Sequence, residues 1–124
     1  MNLVDSSGWI EFFLGGPNAC IFASPLKEKG GLLVPSICIF EVFRSILRSK
    51  GREEALQVAT QMKQGKVIDL DMSISLEAAK LSLELKLAMA DSIILATARA
   101  HQAVFWTQDE DFKNLEGVKF IPKK

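Results

Sequence analysis

The stretch Ala90-Asp91-Ser92-Ile93-Ile94-Leu95-Ala96-Thr97-Ala98 leads, through Arg99-Ala100-His101-Gln102, into Ala103-Val104-Phe105-Trp106-Thr107-Gln108-Asp109. Its first part is apolar in every direction around a helix, the pattern of a helix buried on all sides. Its second part is a short run rich in strand formers that closes on polar residues, and it reads as a strand. A buried helix feeding a strand belongs to a layered domain in which helices cover a parallel sheet.

The same alternation extends in both directions. Met1-Asn2-Leu3-Val4 reads as a first strand ending at Asp5-Ser6-Ser7, where Ser or Asp caps a helix packed through Trp9, Ile10, Phe12 and Phe13. Gly15-Gly16-Pro17 breaks that helix, and a second runs to about Lys27 with Pro25 disturbing its last turn. Leu32-Leu33-Val34 is the second strand. Ser36 then reads as the N-cap of a helix with Ile39, Phe40, Phe43, Ile46 and Leu47 on its apolar face and Glu41, Arg44 and Arg48 opposite.

Residues 52–64 read as a helix, 66–71 as the third strand and 73–87 as a helix, because Leu, Glu, Lys, Ser and Ala outweigh the strand-like alternation at 81–87. The next helix is expected to begin at Asp91, and residues 118–121 form a fifth strand. With right-handed crossovers, the expected fold is α/β: a three-layer α/β/α sandwich around a central parallel sheet of four to five strands, one domain over residues 1–124.

Composition narrows the function. At 124 residues and 48% hydrophobic the chain has room for one core and one site. Fifteen basic against fifteen acidic residues give no net charge, so a nucleic acid would have to be held by a local basic stripe. Cys20, Cys38 and the lone His101 support neither a zinc site nor a disulfide framework. No leader pattern precedes Asp5, and no apolar run reaches the ~18 residues that span a bilayer, so a cytoplasmic protein without a membrane partner is expected.

In an open parallel sheet, sites form in the crevice outside the carboxyl ends of the strands. The first strand ends in Asp5 and the fourth runs into Thr107-Gln108-Asp109, while Asp91 stands at a helix start, where the peptide dipole favours negative charge. Taken singly, each acid has a plain local role: Asp5 as a turn or cap, Glu41 as the i+3 partner of Arg44, Asp91 as an N-cap, and Asp109 to Asp111 as a helix-starting turn. Converging on one crevice they would repel, and a hard divalent cation resolves the repulsion. Mg²⁺ or Mn²⁺ suits oxygen-only ligands and can activate water against a phosphodiester, with no Ser, Cys or His nucleophile needed.

Arg44, Arg48, Lys50 and Arg52 are uninterrupted by an acid, as a solvated helix surface or a phosphate-positioning patch would be. Trp9 and Trp106 read as core, although a tryptophan beside the cleft could stack a base.

Leu3-Val4-Asp5-Ser6-Ser7-Gly8-Trp9-Ile10, Glu41, Ala90-Asp91-Ser92-Ile93-Ile94-Leu95-Ala96-Thr97-Ala98 and Thr107-Gln108-Asp109-Glu110-Asp111-Phe112 resemble, in order, the motifs of PIN-domain ribonucleases, and most closely the VapC-type toxins. The resemblance implies a Mg²⁺- or Mn²⁺-dependent endoribonuclease acting on RNA, a homodimer, and a cognate VapB-like antitoxin laid across the cleft. It makes Asp5, Asp91 and Asp109 metal carboxylates, with Asp111 an alternative to Asp109. Glu41 would act through water or as a proton-handling neighbour, and Ser6 and Thr107 would support the shell by hydrogen bonds. Ser6 stands where the family often has Thr, which keeps the hydroxyl.

Two other functions fit less well. A Mg-dependent phosphatase of the haloacid-dehalogenase type would want an acid or polar partner in an Asp-x-Asp pattern, and that position is Ser7. A catalytically degenerate PIN-like interaction module would not need the full acid set.

Overall fold

The computed structural model describes residues 1–124. Five strands, β1 (Asn2–Val4), β2 (Leu32–Pro35), β3 (Lys66–Ile68), β4 (Val104–Thr107) and β5 (Val118–Phe120), form one sheet in the order β3-β2-β1-β4-β5. Every pairing is parallel, with Leu3 opposite Leu33 on one side and Phe105 on the other. The sandwich expected from the sequence is therefore the one observed.

Six helices cover the sheet: α1 (Ser6–Leu14), α2 (Ala19–Lys27), α3 (Ser36–Lys50), α4 (Arg52–Met62), α5 (Met72–Leu85) and α6 (Met89–Ala100). The connections β1 to β2 and β2 to β3 step the same way across the sheet, and β3 to β4 steps back over it. Right-handed crossovers thus carry α5 and α6 over the face opposite the earlier helices.

Local chemistry explains the element ends. Asp5 is the N-cap of α1, accepting a hydrogen bond from the Gly8 N–H at 3.1 Å, and Gly15 closes the helix in the left-handed region at φ 67°. Gly8 is required by close approach: a Cβ there would lie 2.5 Å from Val4 Cγ1 and 2.8 Å from the Phe22 ring. Asp71 caps α5 through the Ile74 N–H at 2.9 Å. Pro25 is accommodated in the last turn of α2, where it is buried.

Three sequence expectations shift. The N-cap of α3 is Pro35, and Ser36 is the first helical residue. The buried ridge of α3 is Cys38, Val42 and Ile46, leaving Phe40 60% and Leu47 42% exposed. The helix α6 begins two residues before Asp91, with Ala88 at its N-cap. From Ser92 to Ala98 every residue of α6 is buried, as its all-round apolar sequence requires. Ser92 and Thr97 satisfy their hydroxyls on the carbonyls of Met89 at 2.7 Å and Ile93 at 2.8 Å.

The core runs through Leu3, Val4, Leu33 and Val34 of the central strands to Trp9, Phe22, Phe105 and Phe112. Burying one such side chain is worth about 1.5–3 kcal/mol. The edge strands β3 and β5 are three residues each and carry Lys66 and Lys119, which blunts further strand pairing. No helix is long and apolar enough to cross a membrane.

Candidate metal centre

The sheet order reverses direction at β1, so its carboxyl edge and that of β4 frame a crevice. Asp5 follows β1 directly, and Asp109 and Asp111 lie in and beside the turn Glu110–Phe112 after β4. Asp91 enters from the first turn of α6. Carboxylate oxygens of Asp91, Asp109 and Asp111 all lie within 4.8 Å of one another. The sequence left Asp109 and Asp111 as alternatives; both are brought to Asp91.

Asp5 is the most constrained of the acids. It is 3% exposed, and Oδ1 accepts from the Ser7 hydroxyl at 2.6 Å while Oδ2 accepts from Thr107 Oγ1 at 2.7 Å. Thr107 Oγ1 also accepts from the Asp109 N–H at 2.9 Å, coupling the two acids through one hydroxyl. Asp109 Oδ1 in turn accepts from the Asp111 N–H at 3.0 Å and sets the turn. Asp5 and Asp109 therefore keep the local capping roles that the sequence offered for them while standing in the cleft.

Glu41, on α3, is held by the Ser6 hydroxyl at 2.6 Å. It makes no salt bridge with Arg44; the one salt bridge in the protein is Lys80 to Glu77 at 3.8 Å. Asp91 makes no side-chain hydrogen bond and is not the N-cap, so the capping role suggested by the sequence is excluded by the start of α6 at Met89.

Sequence reasoning passed over two groups. Ser7, not Ser6, supports Asp5: with Asp5 at the N-cap, Ser7 and Gly8 are the second and third helical residues, the ones a capping side chain faces. The second group is a buried amide network. Gln108 accepts from Asn18 Nδ2 at 3.0 Å and lies 3.4 Å from Glu11 Oε1, while the Asn18 amide also donates to the Pro122 carbonyl at 3.0 Å. It pins the segment carrying Asp109 to α1 and α2. Its only sequence signal was the polar run after β4.

The electrostatics are those of crowded acids. Burial pushes the Asp5 carboxyl from 3.8 up to about 6, against the lowering effect of its three hydrogen bonds, and the charge of Asp109 adds to the rise. Asp91 is also pushed up to about 6, first by burial and then by the charges of Asp109, Glu41, Asp5 and Asp111. Beneath them the Cys38 thiol is fully buried and held protonated well above its ordinary range.

Beside the acids a cleft of ≈ 320 Å³ is lined by Ser6, Ile10, Phe40, Glu41, Arg44 and Arg48, among others. The larger hollow of ≈ 450 Å³ between α1, α3 and α4 contains none of the clustered acids. Trp9 is core as expected, whereas Trp106 is half-buried under the Lys119 ammonium, 4.2 Å from its ring centre, and is not free to stack. His101 sits at the far end of α6, its Nδ1 3.0 Å from the Thr97 carbonyl.

Fold and site together define a parallel α/β domain with a carboxylate cluster at the reversal of its strand order. A sequence profile of the PIN domain matches residues 3–118, and the chain belongs to the PIN-domain family, a nuclease family. No curated protein sequence matches it.

Solved structures share the fold. A toxin–antitoxin complex from Klebsiella pneumoniae superposes with a TM-score of 0.85 at 22% identity, covering all of both chains. VapC20 of Mycobacterium tuberculosis, a sarcin-ricin loop cleaving toxin, gives 0.74 at 16% identity over 90% of this chain and 92% of that one. DNA-bound VapBC from Salmonella typhimurium gives 0.74 at 18% over 98% of each. At these identities the likeness is one of fold.

Proposed function

We propose that the chain, as a single PIN domain, is a Mg²⁺- or Mn²⁺-dependent endoribonuclease and the toxin component of a toxin–antitoxin pair. One observation carries the reading: Asp91, Asp109 and Asp111 converge within 4.8 Å at the carboxyl edge of a PIN-domain sheet, with no lysine or arginine in salt-bridge contact. Unneutralised carboxylates this close repel one another, and a bound cation would relieve that repulsion.

The donor set suits a hard ion. It is all oxygen, the nearby Cys38 is held as a thiol, and His101 is engaged elsewhere. Asp5, Asp91, Asp109 and Asp111 would hold the ion, with Glu41 reaching it through water. A bound Mg²⁺ or Mn²⁺ supplies activation of water and offsets charge building on the phosphate.

The chain's own residues do the rest. Ser7, Thr107 and the Gly8 N–H fix Asp5 in one orientation and hold it for its ligand role. Ser6 leaves Glu41 one oxygen to orient a water or take its proton. Arg44 and Arg48, in the adjoining cleft, would hold substrate phosphates. The phosphatase alternative is disfavoured because the residue two after Asp5 is Ser7, whose hydroxyl is spent on Asp5.

The solved structures that are toxin–antitoxin assemblies support a VapB-like antitoxin as partner; a homodimer and a cytoplasmic setting are what the resemblance to VapC-type toxins implies. The toxin that cleaves the sarcin-ricin loop supports RNA as substrate. The test is cleavage of a mixed structured RNA with Mn²⁺ or Mg²⁺, beside EDTA and Asp91→Asn. Cleavage by wild type alone, abolished by both controls, is expected. No cleavage at all overturns the reading and favours a degenerate interaction module; cleavage that survives Asp91→Asn overturns it and favours a contaminating nuclease.

A further inference from the structure

Of eight phenylalanines and two tryptophans, Phe40 alone is exposed, at 60%. Leaving a large ring in water forgoes the burial that the other nine obtain in whole or in part. Phe40, Arg44 and Arg48 follow at i, i+4 and i+8 along α3, so they form one stripe, and all three line the cleft that also holds Ser6 and Glu41. Neither arginine has a salt bridge or a hydrogen bond within the protein, although fifteen acids are available. Glu41 lines the same cleft as Phe40, and its charge acts on Asp91, which joins the cleft to the acidic centre.

A flat apolar face beside unpaired guanidinium groups is how proteins hold single-stranded nucleic acid: the ring stacks a base while the cations hold phosphates. A base inside a duplex has no free face to offer, so such a stripe selects an unpaired or splayed nucleotide. We infer that Phe40 stacks the base of a nucleotide flanking the scissile phosphate, with Arg44 and Arg48 on the phosphates beyond it. The inference rests on the ribonuclease reading but is tested by binding, which does not require cleavage.

The probe is a short labelled single-stranded RNA, its affinity measured by fluorescence anisotropy for wild type, Phe40→Leu and Phe40→Trp, on the intact base and on an abasic site at each position in turn. Because Phe40 is exposed, both variants keep the fold, and an unchanged melting temperature verifies it. Phe40→Leu should weaken binding about tenfold and Phe40→Trp should restore it. One abasic position should cost wild type about tenfold and cost Phe40→Leu nothing further. Equal affinities of wild type and Phe40→Leu, or equal abasic penalties in both, overturn the stacking role even if the chain cleaves RNA. Failure to cleave with the stacking pattern intact would instead overturn the nuclease reading alone.

Discussion

Asp91 matters for what surrounds it, since it bonds to nothing. Its carboxylate faces Asp109, Asp111, Glu41 and Asp5 without a hydrogen-bond donor of its own. Replacement by Asn removes one repelling charge and no cap, so Asp91→Asn should leave the metal-free protein as stable as wild type or more so, while abolishing RNA cleavage. A loss of about 1 kcal/mol in urea unfolding with EDTA would instead mark a capping role. Ser7→Ala should act oppositely: Asp5 loses one of three donors, stability falls by about 1–2 kcal/mol, and metal affinity falls about 10–100-fold by calorimetry. The acids themselves were legible as residues, because Asp at strand ends and before a buried helix is a visible pattern. Their supports were less so. Ser6 and Ser7 are adjacent hydroxyls, and only the turn geometry that makes Asp5 the N-cap sends Ser7 to Asp5 and Ser6 across to Glu41.

Among the elements, α1 packs directly on β1 and α2 at Gly8. A Cβ there meets Val4 and Phe22, so Gly8→Ala should cost about 1–3 kcal/mol by thermal unfolding and displace Asp5, whose cap bond comes from the Gly8 N–H. Retention of full stability would show that α1 can shift without penalty. The element types were readable from period and composition, above all α6, whose apolar surround matches its complete burial from Ser92 to Ala98. The face of α3 was not. Ile37-Cys38-Ile39-Phe40 is unbroken and apolar, so period alone could not choose between the ridge through Cys38, Val42 and Ile46 and one through Phe40 and Leu47. Packing chose the smaller Cys38, which left Phe40 to the cleft. The start of α6 is hidden in the sequence because Asp91 looks like a cap, whereas Ala88 takes that place with no side-chain bond and the helix begins two residues before Asp91.

For the whole molecule the acid cluster ties stability to pH and to metal. Asp5 and Asp91 are pushed from 3.8 to about 6, so the folded state holds their protons more tightly than the unfolded chain. That contribution is fully present below pH 3.8 and is lost as pH rises through about 6. In EDTA, the stability of wild type relative to Asp91→Asn should therefore fall between about pH 4 and pH 7; a difference that is flat or rises over that range contradicts the crowding of the acids. Metal reverses the sign, since a ligand carboxylate must be ionised, and affinity should weaken below about pH 6. The most direct measurement is the melting temperature of wild type, Asp91→Asn and Asp109→Asn during a Mn²⁺ titration at neutral pH. The expected result is a rise for wild type that approaches about 2.7 kcal/mol of added stability at a hundredfold excess over Kd, with little or none in either variant. A flat wild-type curve, or equal rises in all three proteins, would contradict a divalent-metal centre built from Asp91 and Asp109.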